Sequence, residues 1–151
     1  RGLGVKRERE GSVHVITVTR RTAAEPEAIW ELWADVSNRT SWDDSLERIS
    51  VEGPFRRGAT GVAKLKGQPE RNFEVLDCQP LRAYTDRFFL PMGGKIDWAH
   101  AIREVGDERE VTFDVSVHGP ASPLLGLVVK KILRRELPPT VDRLIALAER
   151  T

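Results

Sequence analysis

A chain of 151 residues is long enough for one domain with a sizeable core and too short for a second. Its 24 Lys and Arg against 23 Asp and Glu leave a net charge of +1, so the molecule as a whole has no electrostatic bias towards nucleic acid or anionic lipid. One cysteine, Cys78, excludes an internal disulfide and suits a reducing, cytoplasmic setting, and no apolar run approaches the roughly 18 residues of a stably inserted membrane helix.

Residues Arg1 to Gly11 are charged and aperiodic and read as a loose tail before a single domain over 12–150. Ser12 to Arg20 alternates, with Val13, Val15 and Thr17 against His14, Ile16 and Val18, and predicts a strand. Ala24-Glu25-Pro26-Glu27 then opens a short helix, with proline near its first turn and an acid at its positive end. Ile29, Leu32, Trp33 and Val36 form its inward face. Ser37 to Asp44 is polar and turn-like, contains Trp42, and has room for another helical turn. Six extended segments follow: Leu46–Glu52, Thr60–Lys66, Arg71–Cys78, Arg82–Leu90, Lys95–Val105 and Glu108–His118. Gly, Pro and Asp punctuate the breaks between them. Even spacing and short connections predict an antiparallel meander rather than a parallel sheet with crossovers.

The last hairpin has a readable register. A two-residue Gly106-Asp107 loop pairs Val105 with Glu108, and counting outward sets Ile102 opposite Val111, His100 opposite Phe113, Trp98 opposite Val115 and Ile96 opposite Val117. Every apolar residue of both strands then shares one face, and a slip by one residue would scatter them. His100 is carried to the inward face with them.

Ala121 to Arg150 has apolar residues at helical spacing: Leu125, Val129, Leu133, Leu137, Val141, Leu144 and Ala148, widened by Val128, Ile132 and Ile145. Ser122 is the expected N-cap, with Pro123 at the first helical position. At ~1.5 Å per residue such a helix is roughly 40 Å long and must lie across a broad apolar partner. Pro138 and Pro139 interrupt the pattern, either as the junction of two helices or as a bend in one. The apolar stripe keeps its phase across them, which favours one bent helix. The order strand, short helices, six strands, long helix predicts an α+β domain, in which a strongly bent antiparallel sheet of about seven strands wraps around the C-terminal helix.

Several stretches carry a family likeness: Ala24-Glu25-Pro26-Glu27-Ala28-Ile29-Trp30 after the first strand, Trp42-Asp43 after the short helices, Phe73-Glu74-Val75-Leu76-Asp77-Cys78-Gln79-Pro80, and Arg134-Arg135-Glu136-Leu137-Pro138 with Leu144 and Ala148-Glu149. On these the chain, over Ser12 to Glu149, resembles the START-like (SRPBCC) superfamily with the helix-grip fold, in its polyketide cyclase/dehydrase-like branch. The resemblance implies a cavity between sheet and long helix that takes a hydrophobic small molecule such as a lipid or polyketide. Members include carriers, sensors, aromatases, cyclases and chaperone activators, so the fold alone does not fix the activity.

Inward-facing candidates for that cavity are Phe73, Phe88, Ile96, Trp98, His100, Ile102, Phe113, Val115, Leu125, Val129 and Leu133; the alternative is that these side chains fill a solid core. Polar inward candidates are His100, Tyr84, Asp86 and Arg71, by strand parity with Phe73, Val75 and Phe88. A buried Arg71 near Asp86 would pair with it. In a cyclase-type site His100 would move protons, and Arg71 or Tyr84 would hold a carbonyl or enolate oxygen. His100 as a core histidine bonded to a neighbour is the structural alternative.

His14, His100 and His118 stand on separate strands without metal-ligand spacing, and no phosphate loop is present; neither a metal nor a cofactor is implied. Lys130, Lys131, Arg134 and Arg135 form a basic helix face, read as solvated or as a landing site for an acidic carrier protein or for membrane headgroups. Trp33 is expected in the core, and Trp30, three residues earlier, half exposed at a contact surface.

Overall fold

The structure is a computed structural model that describes residues 11–151. The tail expected over Arg1–Gly11 lies, except for Gly11, outside the described residues. Gly11 is tied to the fold, since its carbonyl accepts a 2.8 Å hydrogen bond from the Gly119 N–H.

Seven strands form one antiparallel sheet: β1 (Ser12–Thr22), β2 (Leu46–Val51), β3 (Thr60–Leu65), β4 (Arg71–Gln79), β5 (Ala83–Phe89), β6 (Lys95–Val105) and β7 (Glu108–His118). Their order in the sheet is β1-β7-β6-β5-β4-β3-β2, so the chain leaves one edge after β1 and starts the meander at the other. Helix α1 (Pro26–Ala34) and a 3-10 helix (Val36–Ser41) make that crossing, and α2 (Ser122–Glu149) closes the fold. This is the helix-grip architecture.

The β6–β7 pairing follows the hydrophobic pattern residue for residue, from Val105 opposite Glu108 to Ile96 opposite Val117. Strand β1 departs from simple alternation. A bulge between His14 and Ile16 reverses its parity, so Val15 and then Val18 and Thr22 are buried, while Thr17 faces outward and donates to Asp114. Further irregularities lie between Leu46 and Arg48 in β2 and between Val75 and Asp77 in β4. Bulges of this kind bend a sheet and increase its twist, which lets seven strands curve around one helix.

Helix α1 starts with Pro26 in its first turn and buries Ile29 and Trp33, one turn apart on the same face. Helix α2 runs unbroken through Pro138 and Pro139, and Thr140 Oγ1 donates to the Glu136 carbonyl just beyond them. Its start corrects the expected cap: Ala121 occupies the cap position and no side chain caps the helix, while Ser122 is already helical and buried. The helix is packed unevenly along its length. From Leu133 to Ala148 the apolar stripe is buried on the sheet and α1, whereas in the first turns only Ser122 and Gly126 are. A Cβ on Gly126 would lie 3.0 Å from Val13 Cγ1 and 3.4 Å from Val117 Cγ2, so glycine sets how closely that end approaches the sheet.

Two buried clusters result. The larger joins α2 and α1 to β1, β5 and β7 through Trp33, Tyr84, Phe113, Val141 and Leu144. The smaller joins the 3-10 helix to β2–β5 through Val36, Ile49, Phe73, Val75 and Phe88.

Candidate functional site

A cavity of about 70 Å³ is lined by residues of both clusters. Leu46, Ile49, Leu65 and Phe88 line it from the smaller cluster's strands, Trp98 and Phe113 from β6 and β7, and Leu133 and Leu137 from α2. Its polar lining comes from Arg39, Asp43, Ser45, Tyr84, Asp86, His100, Glu136 and Thr140.

Arg39 is the centre of the polar group. The 3-10 helix carries its side chain inward, where Nη1 donates to Asp86 Oδ2 at 2.7 Å and Nε donates to the Trp33 carbonyl at 2.8 Å. The two side chains of this ion pair are each 4 % exposed. The guanidinium carbon lies 4.8 Å from the ring centre of Tyr84 and 5.1 Å from that of Phe55, a cation–π arrangement that partly replaces lost hydration. Tyr84 in turn stacks flat on His100, with ring centres 4.0 Å apart and planes 7° from parallel. Phe113 and Trp33 meet the His100 ring edge-on at 4.5 and 5.4 Å. Buried side-chain atoms left without a hydrogen-bond partner include Arg39 Nη2, Asp86 Oδ1, Trp98 Nε1 and His100 Nδ1, all on residues that line the cavity.

Burial governs the titration of these groups. It pushes the Asp86 carboxyl upward against the pull of Arg39, and the Asp43 carboxyl upward against its hydrogen bonds from Ser45. Burial also drives the Tyr84 phenol far above its usual range. The His100 imidazole is held well below its ordinary value of 6.5, first by burial and then by the Arg39 charge. All four are moved towards their neutral forms, so the cavity resists additional charge.

A family profile described as "Polyketide cyclase / dehydrase and lipid transport" matches residues 13–149. The chain belongs to this family. No curated protein matches it. Among solved structures, the di-domain ARO/CYC StfQ from the steffimycin biosynthetic pathway aligns with TM-score 0.75 at 11 % identity, over 97 % of this chain and 53 % of that one. The chain thus spans about half of that di-domain protein. The ZhuI aromatase/cyclase from Streptomyces sp. R1128 aligns with TM-score 0.75 at 14 % identity, over 92 % of this chain and 94 % of that one. Norcoclaurine synthase from Thalictrum flavum, solved with dopamine and hydroxybenzaldehyde, gives TM-score 0.67 at 14 % identity, over 95 % and 91 %. At such identities the likeness establishes the shared fold.

Within this polyketide cyclase / dehydrase and lipid transport fold, Tyr84, Phe88, Trp98, His100, Phe113 and Leu133 line the cavity. Other residues expected there from the sequence lie elsewhere. Phe73 stacks on Phe88 at 5.4 Å in the smaller core, and Val115 is buried in the larger one. Ile96, Ile102, Leu125 and Val129 are partly buried against the larger cluster.

Arg71 stands opposite Ala63 at the start of β4, half-buried and outside the lining. The expected Arg71–Asp86 pair is therefore replaced by Arg39–Asp86. Asp86 faces Val75 across the sheet, four residues along β4 from Arg71, which is roughly 13 Å at strand spacing. Trp30 is half-buried, but its ring meets Trp33, Tyr84 and Phe55 at 6.0–6.2 Å, so it belongs to the internal aromatic cluster rather than to a contact surface.

Proposed function

We propose that the protein binds a neutral, mainly apolar small molecule between its sheet and α2, as a carrier or sensor. The observation that supports this most is the character of the cavity. Apolar side chains from β2, β3, β5, β6, β7 and α2 surround it, and Asp43, Asp86, Tyr84 and His100 are each shifted towards neutrality by burial. A carboxylate or ammonium placed there would lose hydration, and the two buried charges at the wall, Arg39 and Asp86, are already paired with each other. A cavity of about 70 Å³ is also smaller than the ~150 Å³ that accommodates benzene in a protein core, so a larger ligand enters only as the wall yields. The first turns of α2, loosely packed just before the wall residues Leu133 and Leu137, are the part of the helix best able to move.

Trp98 reports on occupancy. Titration with 2-naphthol, a neutral aromatic probe, should change tryptophan fluorescence in the native protein and much less in Trp98→Phe. Equal responses would place the probe away from β6. No response, with no binding by calorimetry, would overturn the reading.

The stacked Tyr84–His100 pair favours a second reading, a polyketide aromatase/cyclase or dehydrase using the same cavity. The phenol, kept protonated, can donate to a developing enolate oxygen. The imidazole is kept in the neutral form a general base needs, while the same burial makes it a weak base. Turnover of a poly-β-ketone that falls sharply in Tyr84→Phe, with ligand binding retained, would support catalysis over carriage.

A further inference from the structure

We infer that the exposed face of the first half of α2, together with the loop tip at Met92, is a docking surface for an anionic lipid bilayer. The first turns of a surface helix ordinarily present polar residues to water, yet here Leu124 is 68 % exposed, Leu127 69 %, Val128 52 % and Ile132 47 %. Lys130, Lys131, Arg134 and Arg135 are exposed on the same stretch. No acid occurs from Ala121 to Arg135, so this half-helix carries a local charge of +4 in a molecule of net charge +1. Met92 adds a second element. It is 94 % exposed and held in the left-handed region at φ 62°, a conformation that costs energy for a side chain of its size. Its loop abuts the start of α2, where a Cβ on Gly119 would sit 2.8 Å from the Gly93 carbonyl oxygen.

Exposed apolar side chains flanked by long cations are the composition of a helix that lies in the interfacial plane, with the aliphatic stems of Lys and Arg reaching up to the headgroups. A convex helix needs a receiving surface that deforms around it, which a bilayer supplies and a rigid protein supplies only with a matching groove. The same helix contributes Leu133 and Leu137 to the cavity wall. An apolar molecule could therefore pass between bilayer and cavity along α2 with little exposure to water. Docking itself does not depend on the cavity being occupied.

The test is flotation with vesicles of phosphatidylcholine containing 30 mol % phosphatidylglycerol, against vesicles of phosphatidylcholine alone, at low and high salt. Each cation near an anionic surface is worth about fivefold in partition, so Lys130→Glu/Lys131→Glu should weaken binding roughly 30-fold or more. Leu127→Asp/Val128→Asp should weaken it similarly, with the circular dichroism spectrum unchanged. Trp98→Phe should float like the native protein, so a failed cavity reading and a failed docking surface give different results. Failure to float, equal flotation on both vesicles, or indifference to both double substitutions would overturn the inference. So would concentration-dependent dimerisation, or saturable binding of an acidic carrier protein, that these substitutions abolish while flotation persists.

Discussion

Removing Asp86 or Arg39 singly should be far more damaging than removing both. The two side chains are 4 % exposed and 2.7 Å apart, so neither charge has water to fall back on. In Asp86→Leu the guanidinium stays buried with the Trp33 carbonyl and two ring faces as its direct partners. Breaking a buried pair in this way costs roughly 3–5 kcal/mol. Arg39→Met should cost a similar amount at pH 7.5 because it strands the Asp86 carboxylate, but that carboxyl has an escape. Burial already pushes it upward, and without Arg39 it would protonate more readily in the folded protein than in the unfolded chain. The folded state then binds more protons, so Arg39→Met should regain stability, relative to the native protein, as pH falls from 7.5 towards 5. Asp86→Leu gains no such relief, since arginine does not deprotonate. The double variant retains neither charge; its main residual cost is the unpaired Trp33 carbonyl, about 1–3 kcal/mol. Urea unfolding of all four proteins at fixed ionic strength gives the coupling directly. If the double variant lost the sum of the single losses, the pair would not be the mutually dependent buried couple described above.

His100→Phe keeps a ring in the stack but removes a group held neutral in the fold. The unfolded histidine takes up protons below about pH 6.5 and the folded one does not, so native stability should fall relative to the variant by about 1.4 kcal/mol per pH unit below that point; parallel curves would place His100 in contact with solvent. Gly61→Ala should cost about 1–3 kcal/mol in denaturant unfolding, because a Cβ there collides with the Ser50 carbonyl oxygen and the Phe73 ring. An unchanged midpoint would mean that β2 and β3 are not packed as described. Leu137→Ala, at the cavity wall, should cost about 2–5 kcal/mol and tighten binding of a probe larger than one ring. Lower stability without tighter binding would separate that wall from the ligand site.

Much of the architecture was legible because it rests on periodicity. The two-residue turn at Gly106-Asp107 and the alternation on either side allow one register for β6 and β7, and the 3.6-residue stripe of α2 survives its prolines because Leu133, Leu137 and Val141 keep facing the sheet. What escaped the sequence rests on irregular backbone. Arg39 lies in an aperiodic polar stretch and meets a partner 47 positions away, and no local pattern marks it as inward. The β1 bulge reverses the phase, so Thr17, which alternation places on the face of Val13 and Val15, lies outside while Val15 is buried. Inward parity was also a weaker guide than it promised. Ile96, Ile102 and Val115 are on the concave side but pack into the core, because the sheet's bend decides which part of that face stands off from the helix. The exposed half of α2 could not be told from its buried half, since Leu125 and Leu133 look alike in sequence and differ in what stands opposite them.

The claim that an apolar small molecule occupies the space between sheet and helix is tested most directly by titrating the ¹⁵N-labelled protein with 2-naphthol and following its amide and indole resonances. The account predicts saturable shifts centred on Trp98, His100, Phe113, Leu133 and Leu137, with the Arg39 side chain among them. Shifts confined to Leu124–Ile132 on the outer face of α2, or none up to the solubility of the probe, would contradict it.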